Sequence, residues 1–113
     1  LNAEEIKAFA IASLDDMKGQ DISCLEVSGI TTIADYMIVV TGTSTRHVKS
    51  LSDKLEKDFK NAGGTVVGVE GHGQAEWILI DLGDVIVHVM QDETRKLYDL
   101  ESLWGMTPAS SGS

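Results

Sequence analysis

Glu70, Asp81 and Asp84 bring three carboxylates into one short stretch of this chain. Hard carboxylate oxygens around a small cation are what magnesium-assisted nucleotidyl transfer requires, so a metal site is the first chemistry to weigh. Asp81 and Asp84 stand three apart across Gly83, a spacing that does not aim two carboxylates at one point as a same-face pair on one strand would; the turn itself accounts for their type. His88 with Asp81 could supply an acid and a base. A nucleophile is missing, because no serine lies in a strand-to-helix elbow of the hydrolase pattern. His47, His72, His88 and Cys24 include no pair at a local interval and no second cysteine, so no zinc spacing exists. The run TGTSTRH, residues 41–47, follows an apolar run and precedes a helical pattern, a place where backbone amides attract anions. It lacks the second glycine followed by lysine and Ser or Thr of a phosphate loop, and Thr43 or Ser44 as a helix cap explains the same residues. The expectation is therefore a protein with no catalytic residue, no metal and no cofactor, in which these groups serve binding.

The element that must position them is a β-hairpin. Residues 77–82 and 85–90 are rich in β-branched side chains and are separated by Gly83 and Asp84, which suits a tight turn needing positive φ. Alternation sends Ile78, Ile80, Leu82, Val85, Val87 and Val89 to one wholly apolar face, which should be core. The other face receives Trp77, Leu79, Asp81, Ile86, His88 and Met90. That mixture of aromatic, aliphatic and ionisable groups makes it the candidate binding surface. The competing reading is a second core layer, closed by Leu97, Tyr98, Leu100 and Trp104. A short C-terminal segment cannot cover a whole hairpin face, however, and Trp, Tyr and Met enrich interface centres.

The remaining elements complete an α/β pattern. Asn2 and Glu5 form a capping box ahead of a helix striped by Ile6, Phe9, Ala10, Leu14 and Met17, which Lys18 and a left-handed Gly19 should end. Residues 22–27 read as a strand. Residues 34–42 are almost continuously apolar, as in a strand covered on both faces. A second helix carries Val48, Leu51, Leu55, Phe59 and Ala62 on one side and stops at Gly63 and Gly64; residues 65–69 supply a further strand. Asp92 and Asp99 can cap two short C-terminal turns. The pattern predicts one α/β domain over residues 1–105, a mixed sheet of about five strands with helices packed on it, and a disordered tail at 106–113.

The formal charge is −9 over 113 residues, unevenly spread. Residues 1–43 carry seven acids against two bases, 44–63 five bases against three acids, and 64–113 eight acids against two bases. Such a surface repels phosphate backbones and attracts basic partners, which argues against direct nucleic-acid binding and for a basic protein. The single Cys24 cannot pair within the chain, the first residues repeat at helical spacing, and no apolar run is long enough to span a membrane. These features predict a cytoplasmic protein.

Two blocks, ADYMIVVTGTSTRHVKSL at 34–51 and VEGHGQAEWILIDLGDVIVHVMQDETRKLYDLESLW at 69–104, resemble the ribosomal silencing factor family, the Iojap-like proteins of bacteria and organelles. The similarity runs from about residue 1 to 104. It implies a compact α/β domain with a nucleotidyltransferase-like topology but without that active site, and a homodimer in isolation. It also implies binding to the large ribosomal subunit through its protein number fourteen. Occupation of that surface would block joining of the small subunit and lower translation when nutrients run short; for organellar members a role in large-subunit maturation is implied. Joined to the hairpin geometry, the resemblance nominates Trp77, Leu79, Asp81, His88, Met90 and Tyr98 as contacts, with Glu70 and Asp84 at the rim. Trp77 and Tyr98 would be apolar anchors, and Asp81 and Glu70 would meet lysine or arginine. Asp35, Arg46 and His47 also match the first block, with fold support as their default role. The alternatives are a magnesium-dependent nucleotidyltransferase-like enzyme and a dimerisation module with no ribosomal role.

Overall fold

The chain starts with the reciprocal cap that its first residues spell. Asn2 Oδ1 accepts from the Glu5 backbone N–H at 2.8 Å, and Glu5 Oε1 accepts from the Asn2 N–H at 2.9 Å. In the computed structural model, which describes residues 1–103, this cap opens α1 (Ala3–Asp16). Ile6, Ala10 and Leu14 face inward along it, and Phe9 meets Phe59 edge-on at 6.0 Å. The left-handed residue after α1 is Lys18, at φ 62, and not the expected Gly19. Gly19 is needed for space instead, since a Cβ there would lie 2.6 Å from Val40 Cγ2.

β1 (Gln20–Glu26) pairs antiparallel with β2 (Tyr36–Gly42), with a shift of register between Gln20 and Ser23. Ser44 then caps α2 (Thr45–Asn61), whose Val48, Leu51, Leu55 and Phe59 are buried. Ala62, expected on that stripe, is exposed because the helix has already ended there. β3 (Gly68–Glu70) is shorter than the predicted 65–69 strand: its partner β4 (Trp77–Asp81) ends opposite Gly68. β4 returns through the Gly83 turn into β5 (Val85–Gln91), antiparallel, and β5 lies parallel to β2. The result is one five-stranded mixed sheet in the order β1-β2-β5-β4-β3.

The faces of the hairpin sort as alternation requires. Ile78, Ile80, Leu82, Val85, Val87 and Val89 join the main core under α1 and α2. Burial of each such side chain contributes about 1.5 to 3 kcal/mol before chain entropy is charged. Two short helices, α3 (Asp92–Tyr98) and α4 (Leu100–Leu103), lie on the other face and cover part of β2 and β5. That is why residues 37–40 are buried on both sides. Trp104, the end of the predicted domain and the predicted tail at 106–113 lie outside the described residues.

Candidate functional site

The hairpin turn uses Asp81 before any partner can. Gly83 sits at φ 95, Leu82 N–H donates to the Val85 carbonyl at 2.9 Å, and Asp81 Oδ1 accepts from Gly83 N–H at 2.8 Å. One carboxylate oxygen of Asp81 is thus a turn cap, which is the reason for its spacing from Asp84. The Asp84 carbonyl accepts from Asp35 N–H at 2.8 Å, so the loop before β2 is tied to the same turn, while Glu70 lies exposed opposite Leu79 on β4. Among the described residues no group of three or more His, Cys, Asp or Glu side chains converges as a metal site.

On the face away from α1 and α2, Trp77 stands opposite Met90, Leu79 opposite His88, and Asp81 opposite Ile86. Trp77 Nε1–H donates to His88 Nδ1 at 2.9 Å, and the Trp77 ring packs on Tyr98 with centroids 4.8 Å apart at 49°. Three of the nominated residues therefore form one aromatic cluster. Burial pulls the His88 pKa down from 6.5 to about 4, so its imidazole is neutral at pH 7.

The structure removes one nominated contact and narrows another: Met90 is 0% exposed and lines no open surface, while His88, 7% exposed, offers only its edge in the groove. The cause is α3, which begins directly after β5 and, with α4, folds back to pack Leu100 over Leu25, Met37, Val39 and Met90. Arg95 holds this cover down. Its guanidinium donates to the Asp21 carbonyl, Thr41 Oγ1 at 2.9 Å, Ser23 Oγ at 3.0 Å and both oxygens of Glu101 at 3.2 and 3.1 Å. Arg95 and Glu101 are both about nine-tenths buried. Sequence reasoning missed this network, since Ser23 and Thr41 come from distant strands. An arginine and a glutamate spaced at 95 and 101 were its only local trace.

The second-core reading thus holds for one half of the face. Among the described residues the other half is an apolar groove of about 270 Å³, with Val27, Met37, Leu79, Ile86 and His88 on its walls. Ile33, 70% exposed, and Leu103, 74% exposed, also line it; neither was nominated from the sequence, although isoleucines in a loop were a visible signal. Of the remaining nominated residues, Trp77, Leu79 and Asp81 are half-buried, and Tyr98, Glu70 and Asp84 are exposed. The face offers aromatic and aliphatic surface with carboxylates beside it, the make-up of a docking site for a basic partner.

The TGTSTRH run serves the fold. Ser44 Oγ accepts from His47 N–H at 3.1 Å, and His47 Nδ1 accepts from Thr43 N–H at 2.9 Å. That leaves the proton on His47 Nε2, which donates to the Met17 carbonyl at 2.8 Å and clasps the end of α1 to the start of α2. Gly42 lets this helix approach: a Cβ would lie 2.6 Å from Val48 Cγ2. Arg46 is exposed.

Known proteins resemble this chain over most of its length. The family model described as "Ribosomal silencing factor during starvation" matches residues 1–112. "Ribosomal silencing factor RsfS" of Chromobacterium violaceum is 47% identical over 105 residues, 93% of this chain and 86% of that protein. The protein of the same name from Bacillus subtilis is 37% identical over 108 residues, 96% and 92% of the two chains. A mouse protein, "Mitochondrial assembly of ribosomal large subunit protein 1", is 32% identical over 97 residues, 83% of this chain and 42% of its own length. A crystal structure of a Chromobacterium violaceum protein superposes with a TM-score of 0.92 at 42% identity, covering 100% of both chains.

Proposed function

This chain belongs to the ribosomal silencing factor family, and from that premise we propose that it binds the large ribosomal subunit through protein number fourteen and blocks joining of the small subunit. Family membership itself gives the chain a role in ribosome-associated regulation of translation or ribosome assembly. The finer reading is a steric one, in which the bound protein slows translation under nutrient limitation and carries out no bond chemistry. The observation that carries it is the half-covered sheet face, with its apolar groove, the Trp77–Tyr98 pair and the neighbouring acids. A basic ribosomal protein is the kind of partner that such a face fits. Trp77, Leu79 and Tyr98 make the apolar contact in this reading, while Glu70 and Asp84 steer from the rim. We place its action in the cytoplasm and the free protein in a homodimer; among the described residues no helix is long and apolar enough to cross a membrane.

The test is co-sedimentation with purified subunits. The protein should travel with free large subunits and be absent from joined ribosomes. Tyr98→Ala with Glu70→Lys is the informative variant, because both side chains are exposed; Asp81 is a poorer choice, since it also caps the turn. Co-sedimentation of this variant at wild-type levels would remove the proposed surface. A single-monomer mass in sedimentation equilibrium would remove the homodimer.

A further inference from the structure

His88 has two ring nitrogens and only one of them is used. Trp77 Nε1–H donates to Nδ1, so Nδ1 is an acceptor and the ring's proton must sit on Nε2 while the imidazole is neutral. Among the described residues Nε2 has no hydrogen-bond partner, although the residue is more than nine-tenths buried and lines the open groove. The walls around it are apolar, formed by Leu79, Ile86 and Met37. A lone N–H in such a wall stays unsatisfied once water is displaced, unless the occupant brings an acceptor. The acceptor must be neutral. Among the described residues the groove lining holds no cation to balance an anion, and the acids Glu70 and Asp81 are the strand partners of its walls Leu79 and Ile86, so the field there disfavours a negative charge.

We propose that His88 is a specificity-determining residue of this groove, its Nε2–H donating to the backbone carbonyl of an apolar residue carried on a basic protein segment. The inference rests on the docking reading above and adds to it the atom that selects the seated segment. Charge complementarity chooses the partner class, and the fixed proton chooses how its backbone is presented. Trp77 enters as the group that locks the tautomer, which gives its indole a part in recognition besides its apolar contact.

Two measurements test this. In the ¹⁵N-labelled free protein at pH 7, long-range ¹H–¹⁵N spectra should place the His88 proton on Nε2; a proton on Nδ1 overturns the proposal without any variant. Co-sedimentation with purified large subunits is then compared for the wild type, His88→Asn and His88→Gln. Asparagine keeps an oxygen where Nδ1 accepts from Trp77 but has nothing at the position of Nε2; glutamine keeps an N–H near Nε2 and loses the acceptor. His88→Asn should weaken binding by about tenfold, the loss of one hydrogen bond in a water-excluded contact, with Trp77 fluorescence unchanged. His88→Gln should bind more tightly than His88→Asn. Equal binding by His88→Asn and the wild type overturns the inference and leaves the docking face standing, whereas a wild type that does not bind large subunits removes both.

Discussion

Position 88 joins stability to pH as well as to the recognition proposed above. The folded-state pKa of His88 is about 4 against an ordinary 6.5, lowered by burial, so as pH falls the unfolded chain takes up the proton first. The stability contribution is complete above pH 6.5 and is lost as pH falls toward 4, on the order of 3 kcal/mol in all. Urea midpoints at pH 7, 5.5 and 4 should show this decline. His88→Phe, which cannot titrate, should flatten the slope across that window. Asp58 does not fill the same window: its hydrogen bond from Lys54 lowers its pKa below the ordinary 3.8, and its share is lost only at more acid pH.

At the scale of elements, the helices on the two faces of the sheet are fixed by different means. α2 meets β2 through the missing side chain of Gly42. Gly42→Ala forces its Cβ to within 2.6 Å of Val48 Cγ2 and 3.1 Å of the Val48 nitrogen, which backbone cannot easily yield. A loss of about 2 kcal/mol in the urea midpoint analysis is expected for such overpacking. The α3–α4 cover is held by a polar network around Arg95. Arg95→Met leaves the buried Glu101 carboxylate without its cation, with the Ser23 hydroxyl still donating to it at 3.0 Å, and a loss of about 3 kcal/mol is expected. The same variant should raise Trp77 solvent exposure, read by quenching, because Tyr98 rides on α3.

For the whole molecule, the acids beside the groove should act mainly on encounter. Rim charges change association rates and their salt dependence more than they change dissociation. If the proposed docking holds, Glu70→Lys is therefore expected to slow association with the proposed ribosomal-protein partner by several-fold at low salt, with dissociation within about twofold of wild type. Stopped-flow measurements at two ionic strengths separate these outcomes. A change confined to dissociation would place Glu70 inside the contact instead of at its edge.

The hairpin, the sorting of its two faces, the capping box at Asn2 and the cap at Ser44 were legible in the sequence, because each depends on residues a few positions apart and on strand or helix period. The two blocks at 34–51 and 69–104 were enough to indicate the family. The limits of the open face were not legible. Met90 and Leu79 alternate onto the same face, yet one is sealed and the other lines the groove, because α3 packs on β2 and β5 and Leu100 of α4 on Met90, while α4 only borders the groove beside Leu79. Arg95 meets Ser23 across 72 positions of chain, and the Trp77 proton reaches His88 only once the hairpin register is set. Local chemistry determined what each face is made of; which part of it stays open was decided by contacts between segments far apart in the chain.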